Sequence, residues 1–308
     1  MDIRKCNILL PYSCRSDSAL TQPIINRLEK EDWCNLTTIP LVPANYFDSF
    51  KRIEKHLSLC TYDLAYITGD RVEMGAAAQA AFLSNTPICH YGSGITNYPP
   101  SCYDDFIRHQ IAIVSDILLC EDFNSYGRMK NMEAILRLND KEIYIVGNLY
   151  LDDLPELDFS LVPTEPYDLI LINAETLNPT DFIITKIEVD NTLKIFIGSN
   201  PDKEITYDNI YFERDIKKGF PETHFRYYNN IPRSQFLGLL KNCKRYITNS
   251  SSSVYEAPLY LKPEQIIKIG ERNKNRSSNF EEMQKYPNTA NRIITILKEW
   301  WLKNEKKI

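Results

Sequence analysis

The chain has 308 residues, 43% of them hydrophobic and 25% charged, and a formal net charge of −5. That length carries a prior of two domains with substantial cores, and the composition excludes a disordered chain, a fibre and a disulfide mini-protein. Lysines and arginines are dispersed without a basic block, which argues against nucleic acid as a partner. No run approaches the ~20 apolar residues of a membrane span. The basic end, Lys303, Lys306 and Lys307, reads as a solvated helix terminus. The opening run to Pro11 is too short for a signal peptide and reads as a buried strand. Cysteines stand at 6, 14, 34, 60, 89, 102, 120 and 243, with no C-x-x-C and no histidine at zinc spacing. They read as buried free thiols of a cytoplasmic protein without a metal site. Glycine is scarce, 10 residues against a usual share of about 7%, so each one is expected where the backbone needs positive φ or a close approach.

In chain order the apolar runs Cys6–Leu10, Leu36–Leu41, Leu64–Thr68, Ile88–Tyr91, Ile117–Cys120 and Ile143–Val146 predict strands. Amphipathic stretches Leu20–Leu28, Tyr46–Leu59 and Gly75–Leu83 fall between them. After Asp152 comes a segment with Pro155, Pro163 and Pro166. The alternation then restarts, with strands at Leu169–Ile172, Leu193–Ile197, Tyr246–Thr248 and Ile266–Ile269 and helices at Ser234–Leu240 and Val254–Leu261. The fold class is therefore α/β: two doubly wound Rossmann-like domains facing a cleft, joined near 153–167. The expected domains are 1–160 and 161–288. A C-terminal helix, 289–308, carries Ile293, Ile294, Ile296, Leu297, Trp300 and Trp301 on one face. That face suits either docking back onto the first domain or plain core packing. Ligands of such sheets bind beyond the carboxyl ends of the strands, so the cleft is the expected site.

Five segments carry residues suited to chemistry. Ser13-Cys14-Arg15-Ser16-Asp17 follows the first strand and opens a helix, where free N–H groups and the Arg15 fork suit phosphate; a surface ion pair explains Arg15 as well. Thr68-Gly69-Asp70-Arg71 ends a strand, and Asp70 reads either as a carboxylate presented to the cleft or as a helix N-cap. Tyr103-Asp104-Asp105-Phe106-Ile107-Arg108-His109 packs two carboxylates, a guanidinium and an imidazole into two helical turns. The i,i+4 pairs Asp104/Arg108 and Asp105/His109 share faces, as they also would in a merely salt-bridged helix. Thr248-Asn249-Ser250-Ser251-Ser252-Ser253 offers more hydroxyls than one cap requires and reads as an anion cradle, with Glu256 further along the helix as an acceptor for ribose hydroxyls. Gly270 through Arg276 brings Arg272, Lys274 and Arg276 to the same end of the second sheet, either as a diphosphate partner or as a solvated loop.

In this order the segments resemble the UDP-N-acetylglucosamine 2-epimerase family, and most closely its hydrolysing branch. Ser13–Ala19 with Pro23 is similar to the family's G-T-R-A-D-Y-G…P, and Gly69-Asp70-Arg71 to its G-D-R. Asp104–Ile111 resembles D-D-S-I-R-H-A-I, Gly147–Asp152 resembles G-N-P-x-x-D, and Thr248–Ala257 resembles G-N-S-S-S-G-x-x-E-A. Gly270, Arg272 and Arg276 are similar to G-x-R-x-x-x-R. The likeness implies the GT-B fold, with UDP held mainly by the second domain. It implies elimination of UDP across C1–C2 of the sugar, then addition of water with inversion at C2.

On that likeness Asp70 and Asp104 transfer protons, oriented by Arg108 and His109. Arg15, Asn249, Ser250, Ser251, Ser252, Glu256, Arg272 and Arg276 bind UDP. Asp17, Arg71, Asp105 and Asp152 bind the sugar. No cofactor or metal is implied; the partner is a UDP-sugar, and a homodimer is the assembly to test. Two positions depart from the family. Its H-I-E-G-G or H-I-H-G-G stands here as His90-Tyr91-Gly92-Ser93-Gly94, and its second-domain H-P falls at Asn173-Ala174. The alternatives are a GT-B glycosyltransferase using a UDP-sugar donor and a non-catalytic nucleotide-sugar binder.

Overall fold

The computed structural model describes residues 4–13, 15–98, 100, 102–138, 141–173, 175, 177, 187–188, 190–198 and 224–305, apart from the side chains of 15–19. Cys14, Ala174, Gly219 and the lysines at 306 and 307 lie outside the described residues, as do the side chains of Arg15 and Asp17. Eleven strands are described: β1 (Cys6–Tyr12), β2 (Cys34–Pro40), β3 (Leu64–Thr68), β4 (Ile88–Tyr91), β5 (Ile117–Cys120), β6 (Glu142–Ile145), β7 (Tyr167–Leu171), β8 (Leu193–Ile197), β9 (Phe225–Tyr228), β10 (Arg245–Thr248) and β11 (Ile266–Lys268). The described α-helices are α1 (Arg15–Leu28), α2 (Tyr46–Leu59), α3 (Val72–Leu83), α4 (Asp104–Val114), α5 (Phe123–Leu136), α6 (Arg233–Asn242), α7 (Ser252–Tyr255), α8 (Phe280–Met283) and α9 (Thr289–Asn304). The chain forms two compact units. One comprises 1–96, 104–152 and 277–308; the other comprises 97–103 and 153–276.

The first unit holds a six-stranded sheet in the order β2-β1-β3-β4-β5-β6, with every pairing parallel. Its inner strands β1, β3, β4 and β5 are covered on both faces, which is why they read as apolar runs rather than as alternation. Ile8 and Leu10 of β1 pack with Leu20, Ile24 and Leu28 of α1 and with the buried face of α9, including Trp300 and Trp301. Leu9, on the opposite face, packs with Ile53 of α2 and with Met74, Ala77 and Ala81 of the alanine-rich α3. The tryptophan pair thus belongs to the core of the first unit. Each such buried side chain contributes roughly 1.5–3 kcal/mol.

The second unit has a five-stranded parallel sheet in the order β11-β10-β7-β8-β9. Tyr167, Leu169, Leu193 and Ile195 face Leu237, Leu239 and Leu240 of α6. Ile170, Phe196 and Ile247 point the other way. In both sheets the strand order reverses beside a central strand, between β1 and β3 and between β7 and β10. Loops at the carboxyl ends of those strands are where ligands of such sheets bind.

Several elements differ from the sequence expectation, among them the short α8, which it did not foresee. β9 lies at a sheet edge with Arg226 exposed, so it carries no long apolar run. α5 buries only Ser125 and Met129, too few residues to stand out as an apolar stripe. The helix expected over Val254–Leu261 stops at Tyr255 and continues as a 3-10 turn over Ala257–Leu259. Pro258 explains the break, because its ring cannot donate an N–H and collides with the carbonyl one turn earlier.

Candidate functional site

In the first unit, β3 runs into Gly69, whose φ of +76° turns the chain so that Asp70 leaves the strand end. The Gly69 N–H donates to Tyr91 O at 3.1 Å, which ties the turn to β4. Asp70 is not the cap of α3: Arg71 occupies that position, without a side-chain cap bond. The Asp70 carboxylate instead forms an ion pair with Arg108 of α4. Arg108 is 1% exposed, pairs with Asp105 at 2.6 Å and donates to Ile95 O at 3.0 Å. One guanidinium therefore serves two carboxylates, through a partner at i,i+3 and a long-range partner that i,i+4 spacing does not foretell. Asp104 opens α4, and His109 follows Arg108, half-buried. Burial, then the positive charges of Arg108 and Arg128, pull the His109 imidazole below its ordinary range.

His90, at the departed motif, is fully buried. Its Nε2 lies 2.8 Å from Gly69 O and its Nδ1 2.9 Å from Ser93 Oγ. Burial pushes its pKa down to about 4, against a smaller opposing effect of the Gly69 bond. A neutral ring whose Nε2–H donates to Gly69 O fits this geometry and fixes the turn that presents Asp70. Gly92 has φ +88° and carries no functional group where the resembling family has Glu or His. The turn over 92–94 is held by Arg128 of α5, which donates to Gly94 O at 2.5 Å, to Ser125 Oγ at 3.1 Å and to Ser277 Oγ at 2.7 Å. Arg128 lies on α5, which no apolar stripe announced.

Arg71 pairs with the buried Glu73 at 2.7 Å, and Glu73 also accepts the Ala44 N–H at 3.1 Å. Asp152, expected to bind sugar, is engaged with the backbone that opens α9. Its two oxygens accept the backbone N–H groups of Thr289 (3.3 Å) and Ala290 (2.6 Å). Asn288 makes no side-chain cap bond at that end of α9, so Asp152 supplies the cap from a distant part of the chain.

In the second unit the sequence-predicted cradle forms one polar network at the switch point of the sheet. The Asn249 side chain accepts the Asn173 N–H at 2.7 Å and donates to Asn173 O at 2.8 Å, clasping the chain after β7. Asn249 O accepts from Asn273 Nδ2 at 2.9 Å, and Asn273 Oδ1 accepts from Arg276 Nη1 at 2.7 Å. Arg276 also donates to the Tyr255 hydroxyl at 2.9 Å and lies over that ring. Thr248, where the resembling family has glycine, donates to Leu171 O and accepts the Ser250 N–H at 2.9 Å. Ser250 Oγ accepts from Ser252 N at 3.3 Å and lies 3.1 Å from Ser252 Oγ, which also meets the Tyr246 hydroxyl at 2.5 Å. Ser251 is half-buried, and its hydroxyl has no partner among the described residues. Glu256 accepts from Arg233 Nε at 2.9 Å. Glu175, absent from the sequence expectation, accepts the N–H groups of Glu271 (2.7 Å) and Arg272 (3.2 Å). Burial, then the charge of Arg276, push the Lys268 ammonium down, a sign of how closely cations gather at this end of the sheet.

The structure thus brings Asp70, Asp105 and Arg108 together in the first unit, with His109 beside Arg108. It joins Asn249, Ser250, Ser252 and Arg276 in the second, with Arg272 held through its backbone. Among the described residues no cluster of three or more His, Cys, Asp or Glu has metal-binding geometry, and no helix is long and apolar enough to cross a membrane.

Two doubly wound parallel sheets, each with polar loops at its switch point, define a GT-B-like α/β protein. A model of the UDP-N-acetylglucosamine 2-epimerase family matches residues 45–306, and the chain belongs to that family. It is similar to the UDP-N-acetylglucosamine 2-epimerase of Neisseria meningitidis serogroup B, with 30% identity over 232 residues, 70% of this chain and 57% of that protein. The match thus spans little more than half of that relative's length. The chain is also similar to a UDP-N,N'-diacetylbacillosamine 2-epimerase (hydrolyzing) of Legionella pneumophila, with 24% identity over 310 residues, 91% of this chain and 78% of the relative. The fold matches the crystal structure of a Neisseria meningitidis UDP-GlcNAc 2-epimerase bound to UDP-GlcNAc, with a TM-score of 0.73 at 12% identity, covering 95% of this chain and 100% of the other.

Proposed function

We propose that the protein processes a UDP-N-acetylhexosamine by the hydrolysing 2-epimerase reaction. The observation that carries this reading is the ion-paired set Asp70–Arg108–Asp105 at the switch point of the first sheet, in a chain of this family. A base takes the C2 proton, the C1–O bond to UDP breaks, and a C1=C2 double bond forms. Water then adds at C1 as a proton returns to the opposite face of C2. The hydrogen at C2 is weakly acidic because no carbonyl adjoins it, so the step needs a placed base and a stabilised leaving diphosphate.

Asp70 and Asp104 are the proposed proton-transfer groups. Arg108 and His109 orient them, and Asp17, Arg71 and Asp105 contact the sugar. Ser250, Ser251, Ser252, Arg272 and Arg276, with Arg15, are the proposed UDP ligands; Asn249 acts by clasping the cradle and Glu256 accepts ribose hydroxyls. The free Ser251 hydroxyl supports this assignment, since its neighbours Ser250 and Ser252 are already engaged with each other. The substrates named for the relatives set the first panel: UDP-GlcNAc and UDP-N,N'-diacetylbacillosamine. In D2O the expected outcome is UDP release with deuterium at C2 of the product. Absence of both with every member of the panel defeats the proposal.

A second reading is favoured by Gly92 and Asn173, where two acid/base groups of the resembling family have no counterpart. Each such group contributes about 10²–10⁴ to rate. A glycosyltransferase would show transfer to an added acceptor with little hydrolysis, and a pure binder would show UDP-dependent thermal stabilisation without turnover. A cytoplasmic location is part of the proposal, supported by buried free thiols such as Cys34, pushed up to about 11 chiefly by burial. So is a homodimer, supported by exposed Phe82 and Leu83 on α3 and Phe106 on α4, and checked by sedimentation.

A further inference from the structure

We propose that Glu175 is a positioning residue for diphosphate recognition, bracing the loop that carries Arg272 and Arg276; the inference rests on the UDP-sugar reading above. Glu175 follows β7 and is 3% exposed. Burying a carboxylate is costly unless it is hydrogen-bonded, and Oε1 recovers part of that cost through the N–H groups of Glu271 and Arg272. Oε2 is buried and has no partner among the described residues. A side chain chosen for stability alone would avoid this half-satisfied charge.

The loop it holds needs a brace. Gly270 and Asn273 both have positive φ, at +68° and +60°. Arg272, Lys274 and Arg276 put three cations within five residues, of which Lys274 is paired with Glu271 at 2.9 Å. Asn273 and Arg276 are held from the other side, through Asn249 and Tyr255. Glu175 holds the near end of the loop through the N–H groups of Glu271 and Arg272. Two positions earlier, Asn173 is clasped by Asn249 through both of its backbone groups. The short segment after β7 therefore steadies the serine cradle at one residue and the cationic loop at another. Where the resembling family places a histidine, this chain carries scaffolding.

The test compares Glu175→Ala and Glu175→Gln in the full chain by amide hydrogen exchange without nucleotide and by calorimetric titration with UDP. The alanine variant is expected to speed exchange across 270–276 by at least about tenfold and to weaken UDP by a similar factor, the size of one lost charge-assisted hydrogen bond. In turnover it raises KM and leaves kcat within about threefold, since the interaction serves binding rather than the transition state alone. The glutamine variant keeps an acceptor oxygen and restores most of each effect. Unchanged exchange and UDP affinity in the alanine variant overturn the proposal. So does acceleration spread evenly over the strands of the second unit, which would make Glu175 a support of the whole fold. If the wild-type chain binds no UDP, the exchange comparison still decides the brace, and the failure belongs to the UDP-sugar reading.

Discussion

At the switch point of its sheet the first unit gathers full charges, whereas the second gathers mainly amides and hydroxyls. Arg108, almost without solvent contact, holds Asp70 and Asp105 together, and a fully buried neutral His90 secures the turn before Asp70. The second unit links Asn173, Asn249 and Asn273 by amide bonds and closes Ser250, Ser252 and Tyr246 into a hydroxyl chain, with charge brought mostly by Arg272 and Arg276 at the margin. The difference suits the chemistry. Proton transfer needs ionisable groups whose charge the protein controls, whereas holding a nucleotide diphosphate needs donors in fixed positions. Of the two switch-point clusters the one around Arg108 is therefore the more costly to break, because a buried charge that loses its partner costs more than an amide that loses one bond.

The largest expected effect is that of Arg108→Met, which strands two carboxylates and should remove about 3–5 kcal/mol from urea unfolding. A loss under 1 kcal/mol would mean that the cluster is solvated and that the contrast between the units is false. Next comes pH. His90 has its pKa lowered in the folded state, so its neutral form stabilises the fold above the unfolded value near 6.5, and that stability drains away as pH falls towards 4. Melting the wild type and His90→Gln between pH 7 and pH 4 should show the wild type losing up to about 3 kcal/mol more than the variant. Parallel curves would remove His90 from the account. Asn249→Ala, the counterpart of the arginine change in the second unit, should cost about 1–3 kcal/mol, since both backbone groups of Asn173 lose their partner. A cost equal to that of Arg108→Met would erase the distinction. Smallest is Ser251→Ala, expected to leave stability within about 0.5 kcal/mol while weakening UDP severalfold in calorimetry. Unaltered affinity would shift the phosphate contact to another residue of the cradle.

Much of this was legible in the sequence. Strands buried on both faces, such as Leu64–Thr68 and Ile117–Cys120, announce themselves because almost nothing polar interrupts them. The glycines did so as well. In so glycine-poor a chain, Gly69, Gly92, Gly94, Gly147 and Gly270, each near a strand end, are the described glycines with positive φ. At Gly147 the demand is also one of space, since an added Cβ would lie 2.5 Å from Tyr286 O. Edge strand β9 and the weakly amphipathic α5 were not legible, because β9 buries no residue fully and α5 buries only Ser125 and Met129, too little to leave a periodic apolar pattern.

Local order determined the βα alternation, the two sheets and which loops hold polar residues, because backbone periodicity and turn chemistry act over a few neighbours. Tertiary structure alone decided what those residues do. Asp70 reads equally as cap or site carboxylate until Arg108 arrives from another helix. Asp152 reads as a ligand in sequence, and in the fold the start of α9 donates to both of its oxygens. Glu175 is an ordinary acid until β11 brings its loop alongside. In each case the deciding partner lies dozens of residues or more away in sequence, and a charge or carboxylate has no role until its partner is in reach.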